Sequence, residues 1–116
     1  MAELSKQNLE ILKWRLQGEK INVIADRLNL SKQAIHHRTQ LFPSPKETVA
    51  KTPFTFEQEY AIVVTYFGMI DNKSKFRNGN RDALAKQLIL QMHEMDEFKN
   101  YNVSDIYNTL SRIAAH

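Results

Sequence analysis

The 116-residue chain has no cysteine, only three glycines and three prolines, and no long apolar run. Without cysteine there is no disulfide framework, no Cys-ligated zinc site and no thiol nucleophile. Scarce glycine argues against phosphate-cradling loops and against turn-rich all-β architectures. No uninterrupted apolar stretch approaches the roughly 20 residues that a membrane span requires. The opening MAELSKQNLEILKWRLQ mixes charges among its apolar residues, so it does not read as a secretory signal. HExxH, G-x-S-x-G, Walker and dinucleotide-turn patterns are missing, and no residue is a catalytic candidate. What remains is a folded chain: hydrophobic residues make up 42% of it.

Its formal net charge of +3 is unevenly placed. Residues 1–53 hold nine Lys and Arg against five acids, a balance of +4; residues 54–116 hold seven against eight, a balance of −1. All three prolines, Pro43, Pro45 and Pro53, fall in FPSPKETVAKTP, and nine of the eleven aromatics follow it. Proline lacks a backbone donor and disfavours helix in its predecessor, so a helix should not cross this stretch. The expected organisation is a module at 1–42, a linker at 43–53 and a second module at 54–116.

Periodicity is helical throughout, which makes the expected fold class all-α, with three helices on each side of the Pro-rich linker. Leu9, Leu12 and Leu16 recur at helical spacing, with Ile11 and Trp14 beside them; Ser5 suits the N-cap and Gly18 the stop. Ile21, Ile24, Ala25 and Leu28 form a second stripe. Ser31 suits the cap of a third helix over about 32–42, with Ala34, Ile35 and Leu41 or Phe42 turned inward. Beyond the linker, Phe56, Tyr60, Val63, Phe67 and Ile70 form one stripe, Leu84, Leu88, Met92 and Met95 another, and Ile106, Leu110 and Ile113 a third that Ser104 caps.

The stretch INVIADRLNLSKQAIHHRTQLF, residues 21–42, meets the geometric demands of two short helices crossing through a tight turn. Ala25 is small where the second helix must come close. Ile24, Leu28, Leu30 and Ile35 surround that contact. Asn29 tolerates the left-handed turn that glycine usually fills. IADRLNLSKQAIHHR resembles the helix-turn-helix of bacterial transcription factors, of the LuxR-type and sigma-factor region-four class and of related transposase and recombinase heads, over residues 5–42. The resemblance implies that the helix from Ser31 enters the major groove of double-stranded DNA with its N-terminal residues at the base edges. Ser31, Lys32, Gln33, His36, His37 and Gln40 would then face DNA, with Gln33 and Gln40 suited to adenine and Lys32 to guanine or phosphate. Lys13, Arg15, Lys20 and Arg27 would neutralise phosphates, which position a protein without reading sequence.

The second half carries a basic loop with Lys73, Lys75 and Arg77, offered here to flanking phosphates, and weakly resembles a Myb/SANT-like trihelical unit. That likeness implies contact roles for Asp105, Asn108, Thr109 and Arg112. Against it stands a dimerisation reading, since an aromatic half with near-zero charge suits subunit contacts. Tyr66, Phe67, Phe98, Tyr101 and Tyr107 are its candidates for a homodimer. His36 and His37 point about 100° apart and make a poor metal pair. The acidic group Glu94, Asp96 and Glu97 beside His93 reads as a solvated helix end, so no metal or other cofactor is expected. The expectation is a non-enzymatic, cytoplasmic, dimeric regulator of bacterial or phage type that represses transcription. The alternatives are a DNA-packaging or replication assembly protein, and a protein-binding adaptor that antagonises a host factor.

Overall fold

A computed structural model describes residues 5–44, 52–71 and 81–114. The basic residues Lys73, Lys75 and Arg77 and most of the Pro-rich stretch lie outside the described residues. Six helices follow in order: α1 Lys6–Leu16, α2 Ile21–Leu28, α3 Lys32–Thr39, α4 Phe56–Asp71, α5 Arg81–His93 and α6 Val103–Ala114. Among the described residues there is no strand.

The local signals act as their chemistry requires. The Ser5 and Ser31 hydroxyls accept from the backbone N–H of Asn8 and Ala34, at 3.1 and 3.2 Å, and so satisfy orphan donors at the starts of α1 and α3. Gly18 takes φ of 92° just past α1; its N–H bonds to the Arg15 carbonyl and that of Glu19 to Trp14, the paired bonds of a Schellman stop. At the end of α2 the same pair recurs around Asn29, with φ of 56°: Asn29 N–H to Asp26 and Leu30 N–H to Ala25. Two cues resolve differently from the sequence reading. α3 ends at Thr39, where the threonine hydroxyl donates back to the Ile35 carbonyl. The start of α6 is capped by Asn102, whose side chain accepts from the Ser104 N–H at 2.8 Å; Ser104 itself lies within the first turn.

Two groups of buried side chains result. The smaller, Ile11, Ile21, Ile24, Ala25 and Ile35 with Trp14, Leu28 and Leu30 packed on it, holds α1, α2 and α3 together. The larger runs through α4, α5 and α6 and also takes in Leu12, Leu16 and Phe42. Ile11 and Leu12 are neighbours on α1, about 100° apart around the helix, so α1 serves both cores. The proposed boundary at 43–53 therefore marks a change in charge and composition, while burial crosses it. Phe42 is fully buried, with its ring 5.0 Å from that of Tyr66, and the Tyr66 hydroxyl donates to the Leu41 carbonyl at 2.8 Å.

The inward face of α4 is also shifted. Ile62, Val63, Tyr66, Phe67 and Ile70 are buried, while Phe56 is 36% exposed. Helix α5 ends before Met95, which is left partly exposed, whereas Ile106, Leu110 and Ile113 of α6 are fully buried.

Candidate nucleic-acid interface

The α2–turn–α3 unit presents one polar helix face. Ile35 and Thr39 point into the protein, so the opposite arc of α3 carries Gln33, His36, His37 and Gln40, all exposed; Ser31 and Lys32 are exposed at its N-terminus, Lys32 on the Ile35 side of the helix. Gln33, His36, His37 and Gln40 follow i, i+3, i+4, i+7 spacing and so share a face. The N-terminus of α3 has no acidic residue in its first turn, which leaves its positive end suited to an anion. Arg38 is not on this arc: it is partly buried and donates to the Gln7 side chain at 3.0 Å, fixing α3 against α1.

The cations proposed for phosphates separate on inspection of their surroundings. Lys13 and Lys20 are exposed. Arg27 is partly engaged, with its guanidinium 5.1 Å from the Trp14 ring centroid and 3.5 Å from a Glu19 carboxylate oxygen. Arg15 does not belong in the set. It is 5% exposed, its Nε donates to the Ile113 carbonyl at 2.9 Å, and its terminal nitrogens donate to the carbonyls of Glu19 at 2.7 Å and Arg112 at 3.5 Å. Burial pulls its pKa below the ordinary arginine value. Arg112 answers it from α6: one nitrogen donates to the Leu16 carbonyl at 3.0 Å and another pairs with Glu59. Each arginine thus satisfies free carbonyls at the C-terminal end of the other's helix, the end that favours positive charge.

The same joint accounts for other misplaced residues. Glu59 is buried and accepts from the hydroxyls of Thr52 at 3.1 Å and Thr109 at 3.5 Å besides Arg112. Thr109 is consequently fully buried, and Arg112, though partly exposed, is engaged by Glu59 and the Leu16 carbonyl. Three of the five residues offered for dimerisation are inside the protomer: Tyr66 and Phe98 are fully buried and Phe67 is 8% exposed. Tyr101 and Tyr107 are half-buried. The Tyr107 hydroxyl donates to Asp82 at 3.2 Å. Asp82 also accepts from the Ser44 N–H and hydroxyl at 2.8 and 3.0 Å, and the Ser44 amide is the chief reason its carboxyl titrates below the ordinary aspartate range. This cluster ties the segment after α3 to the start of α5. Sequence reasoning missed it because Ser44 and Asp82 lie 38 residues apart in the chain and Tyr107 reads as a subunit contact.

Among the described residues no group of three His, Asp or Glu side chains is placed to hold a metal ion, and no helix is long and apolar enough to cross a membrane.

With this geometry in view, the likeness of the head is specific. Residues 2–42 match the family described as bacterial regulatory proteins, luxR family. The match covers 41 of the 116 residues, and its span is the stretch holding α1, α2 and α3. The head thus resembles a LuxR-type helix-turn-helix, the kind of unit found in DNA-binding transcription regulators. Comparison with curated proteins and with solved structures gave no match.

Proposed function

We propose that the protein is a sequence-specific DNA-binding transcription regulator, acting in the cytoplasm as a homodimer, whose α3 reads base edges in the major groove. The observation that carries this reading is the polar arc of α3. A helix fixed on one side by Ile35 and Thr39 exposes Gln33, His36, His37 and Gln40 together, with Ser31 and Lys32 exposed at an N-terminus whose first turn carries no acid. Glutamine presents a donor and an acceptor in one plane and so matches adenine in the major groove; lysine matches guanine. Lys13, in the last turn of α1, and Lys20, at the start of α2, supply exposed charge for phosphates. Repression is the direction we assign, because occupancy of a site requires only the head and its mounting.

The experiment is selection of bound duplexes from a random pool with the full chain. A short enriched motif is expected. Gln33→Ala and His37→Ala should each weaken binding to that motif by about 1–3 kcal/mol and relax preference at one base pair. An unenriched pool would remove the sequence-specific reading and favour a protein-binding adaptor.

A further inference from the structure

Among the described residues, the outer face of α5 has an exposed apolar side chain at its centre. On α5, Leu84, Ala85, Leu88, Ile89 and Met92 are buried, whereas Leu90 is 57% exposed, the most exposed large apolar side chain among the described residues. It stands beside a groove between α5 and α6 of about 520 Å³, lined by Lys86, Ile89, Leu90, Val103, Tyr107 and neighbouring polar residues. Val103, across the groove, is itself 36% exposed. Lys86 lies four residues before Leu90 and Glu94 four residues after it, both exposed. Glu94 continues the turn beyond α5 through its N–H bond to the Gln91 carbonyl at 3.2 Å.

This spacing is self-complementary about Leu90. In an antiparallel pairing of two such helices, each Leu90 meets its counterpart and the adjoining apolar groove. Lys86, about 6 Å along the axis from Leu90, then faces Glu94 of the second copy, and the reciprocal pair forms at the other end. A parallel pairing would instead set Lys86 against Lys86. We infer that the α5 face centred on Leu90, with Val103 of α6 at its border, is the surface through which a second copy of this chain docks by two-fold symmetry. The inference rests on the homodimeric reading above and gives it a surface distinct from the aromatics that the fold buries. A two-fold contact on α5 leaves α3 of each copy outside the interface, as reading two half-sites requires.

The test uses charge exchange, which leaves the buried side of α5 untouched. Sedimentation velocity on the full chain should give twice the 13.6 kDa chain mass. Lys86→Glu alone and Glu94→Lys alone should each weaken self-association about tenfold, since two like-charge pairs replace two favourable ones. Mixing the two variants should restore a one-to-one dimer, because opposite charges then face each other at both ends. Leu90→Glu should give a monomer with unchanged helical circular dichroism. A wild-type chain that stays monomeric at high concentration, or a dimer indifferent to Leu90→Glu and to charge exchange, would overturn the inference. DNA binding is read on the same samples. Duplex binding by a monomeric wild-type chain removes this surface and leaves the DNA reading standing. A dimer of the expected variant behaviour that binds no duplex removes the DNA reading and leaves the surface.

Discussion

Lys13 and Arg15 sit two residues apart on the same helix and have opposite surroundings. Lys13 is exposed in the last turn of α1; Arg15 is 5% exposed and donates to carbonyls of α6 and of the turn after α1. The joint between α1 and α6 and the outer face of α3 extend that contrast. In the joint, Arg15 and Arg112 each engage backbone oxygens of the other's helix end, and Glu59 pairs with Arg112. On α3, polar and basic side chains face water on one arc. Positive charge in the sequence therefore divides into two kinds. One kind holds the head to the body, and its removal breaks the protein. The other is presented outward, and its removal leaves the fold intact. The excess of +4 in residues 1–53 includes both.

Substitutions separate the two kinds. The largest effect is expected at the joint: Arg15→Ala should lower unfolding free energy by about 2–4 kcal/mol, because buried carbonyls lose their charged donor. Denaturant titration measures this, and the DNA affinity of the folded fraction should stay within twofold of wild type. Equal stability of variant and wild type would erase the distinction. At the turn before α3, Asn29→Ala should cost about 1 kcal/mol, because alanine resists the left-handed conformation, while Asn29→Gly should cost little or nothing. Lys13→Ala should change stability by no more than about 0.5 kcal/mol, yet flatten the dependence of DNA affinity on salt by about one unit, equally for all sequences.

The smallest effect concerns the attachment of the segment after α3. Asp82 has a lowered folded-state pKa, owed first to the Ser44 amide, with the Ser44 and Tyr107 hydroxyls and Arg81 acting in the same direction. A lowered carboxyl pKa contributes stability that is present above the unfolded value of about 4 and is lost as pH falls through the folded value. Thermal unfolding of the wild type should therefore weaken below about pH 4 more steeply than that of Asp82→Asn. Parallel pH profiles would show that this carboxylate does not hold the segment.

The parts of this fold governed by local chemistry were legible in the sequence. Ser5, Gly18, Asn29 and Ser31 each act through bonds within a few residues, and each sits where its side chain or backbone freedom demands. The outward arc of α3 was legible for the same reason, since Ile35 fixes which side faces in. The parts that depend on distant partners were not. Nothing in KWRLQG tells that Arg15 ends beside α6, ninety-eight residues along the chain from its Ile113 acceptor. Leu12 and Leu16 read as a stripe of the head, yet they pack into the larger core. Tyr66 and Phe98 read as surface aromatics for a partner because periodicity gives a face without naming what covers it; the protomer itself covers them.

On this reading α3, and not the charged residues at the α1–α6 joint, meets DNA. Amide chemical-shift mapping of the isotopically labelled full chain, titrated with a selected duplex, tests it most directly. The largest shifts are expected across Ser31–Gln40, smaller ones near Lys13 and Lys20, and little change at Arg15 and Arg112. Largest shifts on α5 and α6, with the amides of Ser31–Gln40 unmoved, would contradict it.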